Sequence, residues 1–246
     1  MDTSPLFNQI SGNYDRFNHL FSMNIDRSWR KSCARLALKL ASGMASSRNI
    51  GVSDIRVLDL ACGTADLSIL LARKGLKVVG ADISEGMLEV GRKKIEERWK
   101  KDCAGYPRPE LQTGDGANLQ FADGSFDIVT IGYGIRNFDN RPQSLREILR
   151  VLSPGGALLI LEFGKPRNAL MRMLYAPYFK YMIPGMASAL TKGKDKGAYK
   201  YFIGSVEKFP KFEMFCKELS QAGFADVGFK SQTGGISVLY KAFKAK

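Results

Sequence analysis

Histidine is almost missing from this sequence. His19 is the single one, and only four cysteines, Cys33, Cys62, Cys103 and Cys216, are spread along the 246 residues. No two cysteines form a C-x-x-C pair, so the sequence supports neither a zinc site nor a disulfide framework, and a reducing cytoplasm is the expected setting. Long apolar runs are missing too. The longest, Ala157-Leu158-Leu159-Ile160-Leu161, falls far short of the roughly 20 residues that a spanning helix needs. The N-terminal stretch lacks the basic start and apolar core of a secretory signal, so no membrane crossing is expected. Internal repeats, low-complexity tracts and long linkers are also absent. The length suits one domain with its own core.

Charge of one sign is plentiful, with a net +13. This admits an anionic lipid surface, a nucleic acid or an acidic protein partner, and it is equally ordinary for an enzyme with no such partner.

The middle of the chain alternates short β-rich runs with helical stretches. Strands are expected at 55–60, 77–82, 110–113, 126–132 and 157–163, with helices at 66–73, 85–101 and 142–150. Continuous apolar strands separated by helices make a parallel sheet covered on both faces. Toward the end, 208–222 reads as a helix, and 226–231 and 236–243 as strands joined by the short Thr233-Gly234-Gly235 turn, an antiparallel hairpin. The fold class is therefore α/β: a seven-stranded, mostly parallel sheet finished by an antiparallel hairpin, the architecture of Rossmann-like methyltransferases. Residues 1–246 are expected to form a single domain. Within it, 1–50 is a helical N-terminal cap and 164–206 an insertion over the carboxyl ends of the strands, where such folds build substrate sites.

One segment points to a cofactor. Val57-Leu58-Asp59-Leu60-Ala61-Cys62-Gly63-Thr64-Ala65-Asp66 runs from strand through tight turn into helix, bringing backbone N–H groups close to a ligand. The second strand ends at Asp82, placed to accept hydrogen bonds from ribose hydroxyls. A dinucleotide site expects G-x-G-x-x-G and a P-loop expects G-K-[S/T]; this turn has neither. S-adenosylmethionine (SAM) carries no phosphate and needs fewer glycines. Asp59 is suited to its cationic amino-acid end, and Gly63 leaves room for the ligand. Gly114-Asp115-Gly116-Ala117, after the third strand, puts a carboxylate within reach of an adenine amino group. The plainer reading is an ordinary turn with capping aspartates.

Further along stand Ile131-Gly132-Tyr133-Gly134-Ile135-Arg136-Asn137-Phe138, Arg150-Val151-Leu152-Ser153-Pro154-Gly155-Gly156 and Leu161-Glu162-Phe163-Gly164-Lys165-Pro166. R-V-L-x-P-G-G is widespread among SAM methyltransferases, whereas G-I-R-N-F and L-E-F-x-K-P are narrower. With them the chain resembles the C-methyltransferases of menaquinone and ubiquinone biosynthesis. The resemblance extends to Tyr14-Asp15, Asn18, Leu20, Ser22 and Trp29-Arg30, to Ala198-Tyr199-Lys200-Tyr201-Phe202 with Ser205-Val206, and to Thr233-Gly234-Gly235-Ile236. It implies SAM contacts at Thr64, Asp82, Asp115 and Gly116. Departures occur at Cys62 and Ala65, often glycine in the family, at Gly132, commonly serine, and at Tyr240, often histidine.

The implied acceptor is a polyprenylated quinol, the naphthoquinol first and the benzoquinol ubiquinone precursor second. A ring carbon becomes a good nucleophile once a ring hydroxyl loses its proton. A lone guanidinium about 4 Å away, at an effective dielectric of about 20, contributes roughly 4 kcal/mol, enough to bring a phenol from a pKa of about 10 to about 7. Arg136 is the candidate for that role, with Asn137 and Tyr14 orienting the quinol oxygens. The plainer reading of Arg136 is a structural guanidinium paired with a carboxylate such as Asp139, and a lone His19 reads as structural.

A prenylated substrate stays in the bilayer, which gives the basic charge a use. Residues 165–217 carry eleven Lys and Arg against three acidic residues, beside Met171, Met173, Leu174, Tyr175, Phe179 and Met182. Such a segment suits a membrane surface, and equally a lid over the core. Peripheral contact at the inner membrane face is expected, without nucleic acid, and a homodimer is left open. Two other readings stand: methylation of another small lipid or phenol, and a non-catalytic SAM-binding protein. Nucleic-acid methylation lacks its [N/D]-P-P-[Y/F] motif.

Overall fold

A computed structural model describes residues 22–169, 172–173, 177 and 196–246. Five strands, β1 (Arg56–Leu60), β2 (Lys77–Asp82), β3 (Glu110–Thr113), β4 (Phe126–Gly132) and β5 (Leu152–Phe163), precede β6 (Ala225–Gln232) and β7 (Ser237–Phe243). They form one sheet in the order β3-β2-β1-β4-β5-β7-β6. The first five pair in parallel, while β7 runs antiparallel to both β5 and β6. The expected hairpin is therefore present. β5 starts earlier than expected, at Leu152, across a register shift opposite Phe126 and Ile128.

The helices are α1 (Asp26–Arg48), α2 (Asp66–Ala72), α3 (Glu85–Lys101), α4 (Arg141–Val151), α5 (Lys196–Lys208) and α6 (Glu213–Gln221). In α1, Trp29, Cys33, Ala37, Ala41 and Ala45 recur every fourth residue and are buried. Mostly small side chains on that stripe let the helix lie close to the sheet. Ser84 Oγ and Asn140 Oδ1 cap α3 and α4 by accepting the N–H of Met87 and Gln143. Alternate strand residues feed opposite faces of the sheet. Leu58, Val129 and Ile160 pack with Ile148 and Phe215 on one face, and Val57, Ile128 and Leu159 pack with α1 and α2 on the other. Each such fully enclosed side chain contributes about 1.5–3 kcal/mol relative to exposure.

The single helix expected over 208–222 is two. α5 ends at Lys208 and α6 begins at Glu213. Pro210 has no N–H to continue the first, and Phe212 adopts φ 56°. The Lys211 ammonium then closes the first helix, donating to the carbonyls of Val206 (2.6 Å) and Phe209 (2.8 Å). Among the described residues, no helix is long and apolar enough to cross a membrane.

Asp127, at the start of β4, fastens the amino end of the sheet. It accepts from Arg48 on α1, from the Arg56 N–H of β1 and from Ser153 Oγ of β5. Burial opposes its ionisation, but these three donors outweigh it and hold the carboxyl below its usual value. Asp127→Ala strips all three of their acceptor and is expected to lower unfolding stability by about 3 kcal/mol. For a chain of this size that is a melting temperature lower by roughly 6–12 °C. Thermal denaturation checks it; an unchanged midpoint would show that the fastener contributes nothing.

Candidate active site

With β2 and β3 on one side of β1 and β4 and β5 on the other, a crevice opens where the chain changes direction, beyond the carboxyl ends of β1 and β4. A cavity of ≈ 270 Å³ fills it, lined among others by Gly63, Asp82, Asp115, Gly116, Gly134 and Asn137. The turn after β1 is built from left-handed residues, Ala61 (φ 53°), Gly63 (φ 55°) and Ala65 (φ 67°). It is stitched to β2 twice: Cys62 N–H donates to Ala81 O (3.1 Å), and Gly63 N–H donates to Asp82 Oδ2 (2.8 Å). Backbone approaches closely here. A Cβ on Gly134 would stand 2.5 Å from Ala61 Cβ, and one on Gly116 would stand 2.8 Å from the Phe138 ring.

Carboxylates surround the cavity. Asp82 accepts the N–H of Gly63 and of Ser84, one on each oxygen. Burial nonetheless keeps its carboxyl above the usual value, against the pull of those amides. The Asp115 carboxylate accepts the Ala117 N–H at 2.9 Å. Asp59 does not line the main cavity. It borders an adjoining recess of ≈ 20 Å³ together with Arg30, Cys62, Thr64 and Asp66, and the two spaces share Ala61, Gly63 and Gly132. Asp59 is fully buried and accepts from Ser68 Oγ (2.5 Å) and Thr130 Oγ1 (2.7 Å). Burial pushes it up to about 6, although both hydroxyls and the Arg30 charge favour its ionised form. Thr64 Oγ1 accepts from Lys94 Nζ at 3.0 Å.

The 3-10 turn Ile135–Asn137 sends its two polar residues different ways. Asn137 faces the main cavity. Arg136 lines a second cavity of ≈ 550 Å³ along α5, with Arg141, Tyr201 and Lys208. Its side chain is 4% exposed and its partner is Glu162, at 2.9 Å, rather than Asp139. It also donates to Tyr133 O and Ser205 Oγ, and lies over the rings of Phe163 and Phe202. The lone-charge figure for acidifying a phenol therefore overstates this group, because a buried carboxylate balances it. The terminal Nη2 has no hydrogen bond among the described residues. Asn137 Oδ1 accepts from Tyr201 at 3.3 Å. Tyr14 and His19 lie outside the described residues. Arg30, Glu162 and Tyr201 stand in the sequence within the stretches that carry the resemblance but without a site role; the wide separations of Glu162 and Tyr201 from the residues they bond hide the pairing.

A phosphate is a poor guest here. Asp82, Asp115 and Asp139 line the space, Asp59 and Asp66 border the adjoining recess, and the nearby Arg30 is itself paired with Asp26. The arrangement suits a nucleoside with hydroxyl and amino donors and a cationic tail, which is the chemistry of SAM. Among the described residues, no group of His, Cys, Asp and Glu could hold a metal ion.

Comparison with known proteins agrees. The model of the ubiE/COQ5 methyltransferase family matches residues 2–244. A demethylmenaquinone methyltransferase of Chlorobaculum parvum is 39% identical over 97% of this chain and 91% of its own. A ubiquinone/menaquinone biosynthesis C-methyltransferase, UbiE, of Geobacter sulfurreducens is 36% identical over 97% and 87%. Among solved structures, a SAM-dependent methyltransferase of Thermotoga maritima, described as a possible histamine N-methyltransferase, superposes with a TM-score of 0.57 over 99% of this chain and 100% of its own. At 19% identity it speaks for the fold alone.

The left-handed Ala61 beside the cavity carries conformational strain of roughly 1–2 kcal/mol that a glycine would not. Ala61→Gly is expected to stabilise the protein by about 1 kcal/mol, raising the melting temperature by roughly 2–4 °C. A lower midpoint in calorimetry would show that the Ala61 methyl contributes more by packing than its backbone loses by strain.

Proposed function

The chain belongs to the ubiE/COQ5 methyltransferase family, and from that premise we propose which acceptor it methylates and which residues take part. It is a SAM-dependent C-methyltransferase of a polyprenylated quinol. Demethylmenaquinol is the acceptor favoured by the names of its relatives, with the ubiquinone precursor second. The observation that carries the reading is the crevice cavity, bordered by strand-end carboxylates and without a phosphate cradle.

When bound, SAM supplies an electrophilic methyl group. Asp82 takes the ribose hydroxyls on the lone pairs that Gly63 and Ser84 leave. Asp115 takes the adenine amino group, while Gly116, without a side chain, lets the ring approach beside Phe138. Asp59, Gly63 and Thr64 hold the amino-acid end. On the acceptor side, Asn137 donates to one ring oxygen from the main cavity, the Arg136 Nη2 serves the other from the second cavity, and Tyr14 orients the ring from the N-terminal segment. Arg136 stays protonated throughout. Its pairing with Glu162 makes it a directed donor rather than a source of net charge; water takes the ring hydroxyl proton as the carbon becomes nucleophilic, and then the C–H proton of the methylated carbon, which restores the aromatic ring.

Residues 1–246 act as one domain in this reading; α1 packs along the sheet instead of capping the acceptor, and the rest of the expected cap, 1–21, and residues 178–195 of the insertion lie outside the described residues. The enzyme works in the cytoplasm at the inner membrane face. Exposed Met173 (65%) and Met214 (69%) beside a strongly basic segment support that approach.

Two measurements test the reading. Pure protein given methyl-labelled SAM should label reduced demethylmenaquinol on a ring carbon, and label found only on a non-quinol phenol would overturn it. The second follows from Asp59. A cationic tail needs the ionised carboxylate, which is mostly protonated below its value of about 6. Affinity for S-adenosylhomocysteine is expected to fall about tenfold from pH 7 to pH 5, and Asp59→Asn should flatten that profile. Calorimetric titration showing the same slope in both proteins would remove Asp59 from the cofactor set.

A further inference from the structure

Helix α5 grips the two acceptor-facing residues with two side chains one turn apart. Tyr201 bonds Asn137, and Ser205, four residues on, accepts from Arg136 Nε at 3.3 Å while donating to Phe202 O at 2.8 Å. Tyr201 lines the second cavity and Asn137 lines the first. One hydrogen bond therefore stands at the boundary between the two spaces.

That bond has a chemical consequence. A primary amide presents an acceptor on one side and two donors on the other, and its hydrogen bonds decide which faces the ligand. The Tyr201 hydroxyl donates to Asn137 Oδ1, so the amide nitrogen, which has no hydrogen bond among the described residues, is left for the cavity. A ring oxygen gaining negative charge needs that donor. With the amide reversed, Oδ1 would face the same oxygen and repel it. Resting on the reading of Asn137 above, we propose that Tyr201 is a positioning residue for methyl transfer, holding the Asn137 amide with its N–H groups toward the acceptor oxygen.

The hydroxyl keeps its proton for the task. Burial, with the Asp139 charge, pushes Tyr201 above the usual phenol value, against the opposing Arg136 charge. Loss of the bond frees the amide to turn without removing any group that touches either substrate.

A double-mutant cycle tests this with Tyr201→Phe, Asn137→Ala and the pair, measuring kcat, KM for the quinol, calorimetric affinity for S-adenosylhomocysteine and melting temperature. Tyr201→Phe should lower kcat about tenfold, with cofactor affinity and quinol KM changed less than about twofold. On the Asn137→Ala background it should lower kcat no further. An equal loss on both backgrounds, full activity of Tyr201→Phe, or a cofactor affinity that falls in step with kcat would overturn the proposal. Full activity of Asn137→Ala would instead overturn the reading of Asn137, and the proposal with it.

Discussion

The bond from the Gly63 amide to Asp82, 2.8 Å long, is what the site depends on. Neighbouring parallel strands share a ladder, but the turns beyond their carboxyl ends have no reason to meet. Here the carboxylate at the end of β2 reaches across and takes an N–H from the turn after β1, while its other oxygen holds the Ser84 amide at the start of α3. One side chain thereby fixes two backbone segments and keeps lone pairs for a ligand. The left-handed Ala61, Gly63 and Ala65 can persist only because this stitching, with Cys62 to Ala81, over-determines the loop. Strain gathers at the carboxyl ends of the strands. Anchoring gathers at the amino ends, where Asp127 joins α1, β1 and β5.

The Arg136–Glu162 pair shows why a cationic ligand shapes its surroundings. Burying two charges is unfavourable by several kcal/mol per ion unless hydrogen bonds offset it. Arg136 meets that demand with Glu162, Tyr133 O and Ser205, and Glu162 also accepts the Phe163 N–H at 2.8 Å. A lone guanidinium beside a sulfonium would repel it by roughly 4 kcal/mol at 4 Å and an effective dielectric of about 20. Pairing the guanidinium with a carboxylate removes most of that repulsion and leaves N–H groups in place. The site keeps directed donors for an oxyanion without accumulating positive charge.

Most of the sheet was legible because its central strands are largely apolar runs, several ended by Gly or Asp, and the period of the intervening helices differs plainly from that of the strands. The hairpin was legible from Thr233-Gly234-Gly235. Where the reading failed, the cause was local chemistry overriding periodicity. Phe215 and Leu219 continue an apolar pattern across Pro210, so two helices read as one. Of the residues expected at the site, Gly63, Asp82, Asp115 and Gly116 line the crevice cavity, and turns at strand ends announce such positions in a sequence. The company each residue keeps was not. Glu162 is 26 residues from Arg136, and Tyr201 is 64 from Asn137. No spacing rule links them, since sheet order and the fold of α5 against the 3-10 turn create the contact.

The same helix connects two needs that appear separate. On the proposed reading, a prenyl chain, at roughly 0.8 kcal/mol per buried CH₂, holds the quinol head at the bilayer and the enzyme comes to it. α5 lies within the most basic stretch of the chain, and exposed Lys208 stands on the same face as Tyr201 and Ser205, lining the second cavity with them, while Tyr201 and Ser205 bond Asn137 and Arg136. A site whose donors are set by a surface helix differs from one set wholly within the core. The strand-end carboxylate Asp82, by contrast, is gripped by the backbone at the edge of the sheet itself.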